Sequence, residues 1–520
     1  MRVLTAEQMQ KVDAETIARV MPGIELMERA GRGAADAIQA RFERGRAAIF
    51  VGPGNNGGDG LVVARLLIEA GWSCSIHLLR PGRNCTPDTA ANYARLAGMP
   101  RLREIEATPE SLRDATLLID SIFGTGFSGA PRDRAAEMIA LVNRTRAARR
   151  IPVVSIDVPS GVNGTTGVVE GEAVRADLTL TIGTAKTGLL FHPGRSHTGD
   201  LLVIDIGFPT AIVEKHADRV FYLDRAAAAA KLPPRAPDIH KYRAGSALIV
   251  AGSERYRGAG LLTAEAAMRG GCGMVYLAVP EGIHGEIPVS LREAIVVTLP
   301  RTAEGTIART ARDALAEHVE KADAVAIGPG LGRHDETDAF VRDFVGSCPK
   351  PIVVDADGLN AFEGRGGEFS RAKAAVTITP HDGELARVTG DRIPAAALDR
   401  IAYAGATARR LGVTLIHKGA PALVAGPDGE VWINGSGTSA LAKGGTGDVL
   451  TGLVASFLAQ AAALDRTRTP QPLEAACVAC YLHGRAGELE AGERGERGVI
   501  ASDLFVALGR ALLELETSAR

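Results

Sequence analysis

Residues 51–60 read VGPGNNGGDG and follow the apolar run Ala47, Ala48, Ile49, Phe50. A hydrophobic strand that leaves through glycines and resumes as the helical pattern LVVARLLIEAG is the punctuation of a parallel α/β unit. Glycines permit a tight turn and let the backbone approach a phosphate at a helix start, and GPGNNG satisfies the G-x-G-x-x-G dinucleotide pattern. That fingerprint also expects an acidic residue about 20 positions on to hold a ribose. The next strand instead runs into LLRPG, offering Arg80, which argues against a hydride-transferring dehydrogenase. Asn55, Asn56 and Asp59 add side-chain oxygens where an anion cradle needs only backbone. They serve either as turn formers tolerant of left-handed conformations or as hard ligands for a cation.

The same rhythm continues on both sides. AAIFV, CSIHLL, LLID, VVSIDVPS, LTLTIG and LLVIDIG are short apolar runs separated by helical patterns, predicting a parallel sheet flanked by helices. Between residues 214 and 240 the rhythm stops at an alanine run followed by Pro233, Pro234 and Pro237. A chain of 520 residues exceeds one ordinary core. We therefore expect a first domain over 1–222, a linker over 223–235 and a second domain over 236–520. The second series, SALIVAG, MVYLAVP, AVAIGPG, IVVDAD, AVTITP and TLIHKG, is again α/β. PALVAGPDGEVWING, turning at Gly426 to Gly429, reads as a hairpin within it.

Bulk properties exclude several classes. Lys plus Arg is 59 against 61 for Asp plus Glu, a net charge of -2, so no nucleic-acid partner is expected. No uninterrupted apolar run approaches the roughly 20 residues of a membrane span, so no membrane association is expected either. The start, MRVLTAEQMQKVDAET, has no signal-peptide pattern, and Thr5 with Gln8 matches a capping box. Six cysteines in 520 residues are too sparse for a disulfide framework, which points to a reducing, cytoplasmic setting. Cys477 and Cys480 lie in apolar AACVACYLHG and read as one buried helix face rather than a metal site, the second Cys-x-x-Cys of a zinc ribbon being missing.

In LLIDSIFGTGFSGAPR, Asp120 ends a strand before another glycine turn, and in VVSIDVPSGVNG, Asp157 and Ser160 end the next. Loops from the carboxyl ends of parallel strands meet in one crevice, so Asn56, Asp120 and Ser160 converge there. Together, ELMERAG, GPGNNGGDG, DSIFGTG, DVPSG and TAKTGLLFHPGR resemble the NAD(P)H-hydrate epimerase family over roughly residues 1–222. That resemblance implies a Rossmann-like fold and interconversion of the C6 epimers of hydrated NADH or NADPH. It implies substrate contacts from Asn55, Asn56, Gly57, Gly58 and Asp59, and from Gly124, Thr125, Gly126, Phe127, Ser128, Gly129 and Ala130. It implies a potassium ion (K+) on Asn56, Asp120 and Ser160. It also makes Asp157 a substrate contact and the candidate acid/base, with Lys186 as a second group.

Late in the chain, GTSALAKGGTGDVLTGLVASFLAQ runs from a small-residue loop into a helix, with Gly444, Gly445, Thr446 and Gly447 at its amino end and Asp448 following. Free amides and the helix dipole suit a phosphate there, and a cap alone needs no glycine loop. The pattern of anion hole plus carboxylate is similar to ribokinase-like enzymes. With AGSERYRGAGLLTAEAAMRGGCGMVYLAVPE, AIGPGLG, DADGLNAF, TPHDGELARV, IHKGAPALVAG and LAKGGTGDVLTG in order, residues 236–515 resemble the ADP-dependent NAD(P)H-hydrate dehydratase family. That resemblance implies contacts to the hydrated nucleotide from Ala259, Gly330 or Gly332, His381 and Asp448. It also implies an adenine-nucleotide site from Lys418, Gly419, Ala420, Pro421 and Ala422, the hairpin, and Thr438 to Gly447. ADP would be the co-substrate, with Mg2+ on its phosphates, and Asp448 would prepare the reacting hydroxyl. His381 is open to two readings, a strand-end cap or a ligand contact, whereas His240 and His483 read as ordinary polar residues. The rival functions are a ribokinase-like vitamin or sugar kinase with a non-catalytic amino-terminal binding domain, and a pure binding module. Whether the chain forms a homo-oligomer is not readable from these patterns.

Overall fold

β2 (Arg46–Val51) exposes its first residue and buries the next five, the mark of a strand covered on both faces. In the computed structural model, which describes all residues except 81–84, 288–290, 465–471 and 520, this strand is central to the first of two compact units. The units are Met1–Val220 with Ala396–Leu398, and Phe221–Ala395 with Asp399–Arg520.

The first unit holds β1 (Val3–Leu4), β2, β3 (Ser73–Leu78), β4 (Leu102–Glu104), β5 (Leu117–Ser121), β6 (Val153–Ile156), β7 (Leu178–Ile182), β8 (Ala185–Lys186) and β9 (Asp200–Ile204). Seven of them form one sheet in the order β4-β3-β2-β5-β6-β7-β9, with every neighbouring pair parallel. β1 and β8 form a separate parallel pair. Ile49 and Val51 join one core layer while Ala48 and Phe50 join the other, as the two-residue strand period requires. The chain runs outward from β2 through β3 to β4, then returns to place β5 on the other side of β2. That reversal is the point at which open α/β sheets gather ligands at their carboxyl ends.

The second unit contains β10 (Val220–Leu223), β11 (Ser246–Val250), β12 (Met274–Pro280), β13 (Ile295–Leu299), β14 (Ala324–Ile327), β15 (Ile352–Val354), β16 (Val376–Ile378), β17 (Thr414–His417), β18 (Leu423–Ala425) and β19 (Val431–Asn434). Their order is β10-β19-β18-β17-β16-β15-β14-β11-β12-β13. From β17 to β13 all pairs are parallel, and β18–β19 is the expected antiparallel hairpin. Here the order reverses between β11 and β14. The α/β class expected for both halves, with largely parallel sheets, is what the structure shows.

The expectation of a linker over 223–235 is corrected by the fold. Asp224 caps a helix, Arg225–Ala229, by accepting from the Ala227 amide at 2.8 Å, and Ala228 and Ala229 are buried in the second unit's core. Alanine is the strongest helix former and small enough to pack closely, so the run belongs to an element rather than a spacer. Cys477 and Cys480 are buried on the helix Pro472–Arg494 within the same core, and all six cysteines are free. The helix Thr446–Leu464 is long and apolar enough to cross a membrane, but 72% of its most apolar window is buried inside the protein.

Candidate active sites

In the first unit the GPGNN turn leaves β2 and enters the helix Asn55–Glu69. A Cβ on Gly52 would lie 1.8 Å from the Ile122 carbonyl oxygen, and one on Gly57 would lie 1.9 Å from the Gly52 carbonyl oxygen, so only glycine lets these segments meet. Beside the turn opens a cavity of 560 Å³ lined by Asn55, Asn56, Asp59, Gly124, Thr125, Gly126, Phe127, Asp157 and Lys186, among others. Ser128, Gly129 and Ala130 do not line it. Gly57 and Gly58 face inward, Gly57 against Gly52 and Gly58 toward Met27 and Thr89.

Asp157 follows β6 with a φ of 67°, a left-handed conformation uncommon for a residue with a side chain. Its Oδ2 accepts from the Thr125 amide at 2.9 Å and from the Thr125 hydroxyl, and Lys186 Nζ donates to its Oδ1 at 2.6 Å. Lys186 is fully buried and also donates to Thr181 Oγ1 at 3.1 Å and to the Ile182 carbonyl. Burial pushes Asp157 up, but the Lys186 ammonium and the Thr125 donors outweigh it and hold the carboxyl below the usual range. Asp59 moves the opposite way: burial first, then the charges of Asp157 and Asp13, push it well above that range.

Beneath the cavity, Asn56, Asp120 and Ser160 do come together. Ser160 donates to Asp120 Oδ1 at 2.5 Å and accepts from the Phe123 amide at 2.8 Å, while Asn56 Nδ2 donates to the Phe123 carbonyl at 2.9 Å. Asn56 Oδ1 is buried with no hydrogen-bond partner. Asn56 and Ser160 thus meet at the Phe123 carbonyl, and a buried acceptor left unmatched there suits a cation better than a proton donor.

In the second unit the helix Thr446–Leu464 begins at the glycine loop. Gly445 has a φ of 90°, and the Thr446 hydroxyl ties the loop to the Leu441 and Lys443 carbonyls at 2.8 and 2.9 Å. Lys443 donates to the carbonyls of Arg497 and Val499, which makes it a strut of the loop. Asp448 stands in the first turn, and its carboxylate accepts no hydrogen bond from the described residues. Burial, then the nearby charge of Asp355, push it up to about 7, against the pull of Lys418.

Lys418, at the end of β17, donates to Asp355 Oδ1 at 3.0 Å and lies 3.5 Å from Glu384 Oε2. Thr451, one turn beyond Gly447, donates to Asp355 Oδ2 at 2.7 Å. Burial lowers the Lys418 ammonium, but the two carboxylates outweigh it and hold its pKa above the usual range. At the sheet reversal, Gly330 takes a φ of 63° against Ala259, and the Gly332 amide donates to Asp357 Oδ2 at 2.9 Å. Asp448 also feels the charge of Asp357. His381 shows the capping role: its Nδ1 accepts from the Gly383 and Glu384 amides at 2.9 and 3.3 Å, and its side chain stays 55% exposed. Thr438 turns toward Glu496, to which its hydroxyl donates at 3.3 Å.

Two family models match the chain. One, described as NAD(P)H-hydrate dehydratase, covers residues 247–510, and another, described as YjeF-related protein N-terminus, covers residues 23–188. A bifunctional NAD(P)H-hydrate repair enzyme of Moorella thermoacetica is 36% identical, spanning 99% of this chain and 97% of its own length. The chain belongs to the bifunctional NAD(P)H-hydrate repair enzymes. A second member of this repair family, from Salinibacter ruber, is also 36% identical, over 98% of this chain and 96% of its own. A solved ADP/ATP-dependent NAD(P)H-hydrate dehydratase from Bacillus subtilis, co-crystallized with ATP/Mg2+, is 32% identical with a TM-score of 0.49, covering 58% of this chain and all of its own.

In this repair enzyme, sequence reasoning missed Asp13, Asp355, Asp357, Glu384 and Thr451. Asp355 and Asp357 lie in DADGLNAF and Glu384 in TPHDGELARV, both among the family motifs, so membership of those motifs was the available signal. Asp13 had none: an acid in an amphipathic amino-terminal helix reads as surface.

Proposed function

We propose that the first unit interconverts the C6 epimers of hydrated NADH or NADPH and that the second dehydrates the (S) epimer, using ADP and releasing AMP and phosphate. Two separate carboxylate sites, Asp157–Lys186 and Asp448 with its glycine loop, on a chain matching bifunctional repair enzymes end to end carry this reading.

Hydroxide is a poor leaving group. In the second site Asp448 takes the proton of the C6 hydroxyl as that oxygen attacks the terminal phosphoryl group of ADP, and the Gly444–Gly447 amides hold the transferring oxygens. Phosphate then departs with the C6–O bond pair and loss of a C5 proton restores the dihydronicotinamide. Among the described residues no cluster of three or more His, Cys, Asp or Glu forms a metal cage. Mg2+ is assigned to the nucleotide's phosphates because Mg2+ commonly binds through few protein carboxylates, so the lack of a cage says nothing for or against it. In the first site, Asn56, Asp120 and Ser160 would hold K+, which supplies a fixed positive charge beneath the substrate. Asp157 is the acid/base group, oriented by Thr125 and Lys186. His381 and the Lys418–Ala422 segment are assigned to the hydrated nucleotide and the adenine nucleotide, respectively.

The mixed epimers with ADP should regain the near-ultraviolet absorbance of reduced nicotinamide completely. Recovery stopping at the (S) fraction would show that the first unit is not an epimerase. A stable phosphorylated product would instead mark the second unit as a kinase.

A further inference from the structure

The helix Ala6–Arg19 lies before residue 23, where the match to the YjeF-related family model begins. Yet Met9, Gln10, Asp13 and Ile17, spaced to share one helical face, line the first cavity. The helix is firmly placed. Thr5 and Gln8 close a capping box, the Ala6 amide donates to Thr165 Oγ1 at 2.8 Å, and β1 pairs with β8 so that Leu4 stands opposite Lys186. The strand that presents Lys186 to Asp157 therefore also anchors the helix that presents Asp13.

Asp13 differs from the other acids of its helix. Glu7 pairs with Lys11, and Glu15 pairs with Lys215 and His216 from the neighbouring helix Thr210–His216. The charged groups that Asp13 meets belong to the cavity: Lys186, Asp157 and Asp59. Three acids from three elements, one of them already salt-bridged, face one space.

Resting on the epimerase reading, we propose that Asp13 is a second acid/base residue of the first site, serving one face of the substrate ring while Asp157 serves the other. Burial pushes Asp13 up to about 6, with Lys186 pulling against it, whereas Asp157 is held low. Carboxyls driven apart in this way supply one proton donor and one acceptor near neutrality. Asp13 gives its proton to the C6 hydroxyl as the C6–O bond breaks. The oxygen keeps the bonding pair and leaves as water, and the ring nitrogen's lone pair forms the N1=C6 iminium. Water adds to the opposite face through its own lone pair, N1 regains its pair, and Asp157 takes the released proton. The reverse epimerisation starts from the exchanged proton state, so atoms and charge balance in both directions.

The test uses the full chain without nucleotide, following each purified epimer by chromatography. Asp13→Asn should slow exchange by about 10²-fold or more in kcat, with KM changed less than about threefold. Asp13→Glu should recover part of the rate, and Asp13→Asn should lose the limb of the pH profile that wild type shows near 6. Dehydration of the (S) epimer with ADP, read on the same preparations, should be unchanged and reports an intact second unit, while a wild-type denaturation profile of the first unit reports that the variants are folded. Exchange by Asp13→Asn at the wild-type rate overturns the assignment, as does equal loss in Asp13→Glu and Asp13→Asn with an unaltered pH profile. A wild-type chain that exchanges the epimers no faster than solution alone overturns the epimerase reading, and the assignment with it.

Discussion

Lys186 Nζ and Asp157 Oδ1 lie 2.6 Å apart at the wall of the first cavity, the lysine side chain 1% exposed and the aspartate 12%. Their pairing helps hold the carboxyl below its usual range against the upward push of burial. Asp157→Asn keeps the shape and removes the charge. It should reduce epimer exchange by about 10²-fold or more while leaving ADP-dependent dehydration of the (S) epimer intact. Unimpaired exchange would remove Asp157 from the mechanism.

Lys186→Met tests the other half of the pair. It leaves Asp157 buried without its cation, a change that costs about 3–5 kcal/mol when one partner of a buried pair is deleted. The sign of the pH effect follows from the lowered Asp157 pKa. In wild type the pair's stabilisation is present above the ordinary carboxylate range and is lost as pH falls through the depressed value. Denaturation of the first unit should thus show Lys186→Met weakest relative to wild type at neutral pH, with the gap closing in acid. A gap independent of pH would mean that lost packing, not lost charge, is responsible.

The cation site proposed for the first unit makes a prediction that does not depend on turnover. Asn56 Oδ1 is a buried acceptor without a partner, Asn56 and Ser160 share the Phe123 carbonyl, and the two oxygens of Asp120 already accept from Ser155, Ser160 and the Ile122 amide. K+ should raise the Tm of wild type relative to a bulky organic cation at equal ionic strength, by the mass-action stabilisation of a folded-state ligand. Asn56→Leu removes the unmatched oxygen and should abolish that increment. An increment that persists undiminished would place the ion elsewhere.

The turns of both sites were legible because their chemistry is local. Gly52, Gly57 and the Gly444–Gly447 loop are glycines where backbone meets backbone or a helix begins, and the strands before them are short and apolar. The linker was misread because proline and a boundary composition masked an alanine run that is itself an element. Asp13 was not legible as a site residue because nothing adjacent distinguishes it, and Asp355, although inside DADGLNAF, was not because its role rests on partners far away in the chain. Asp13 acquires its surroundings through the β1–β8 pairing, and Asp355 through Lys418 and Thr451, all distant in sequence. Side chains defined by tertiary neighbours leave no periodicity to read.

Glycine at the first turn is a steric requirement that can be measured. Gly57→Ala would bring a methyl carbon within 1.9 Å of the Gly52 carbonyl oxygen, and backbone cannot swing aside as a flexible side chain does. We expect a loss of about 1–3 kcal/mol in the first unit and loss of epimer exchange, with dehydration retained. A variant of wild-type Tm and exchange rate would show that the turn has room the geometry denies.

Asp448 couples activity and stability with opposite signs. Burial, chiefly, and the charge of Asp355 raise it to about 7, so the carboxylate is the costly form in the folded protein. For a raised pKa the stabilisation is complete below the unfolded value, near 4, and is lost as pH rises through about 7. Asp448→Asn carries no charge to bury and should be more stable than wild type by about 1–3 kcal/mol at pH 9, the advantage vanishing near pH 4. The same change should abolish dehydration, because the base that accepts the hydroxyl proton is gone. Wild-type dehydration should rise with pH through about 7 as that base ionises. Lys418→Met, which removes the cation holding the value down, should move this rise to higher pH. Undiminished dehydration by Asp448→Asn would refute the base assignment, and an unmoved profile in Lys418→Met would show that the rise reports another group.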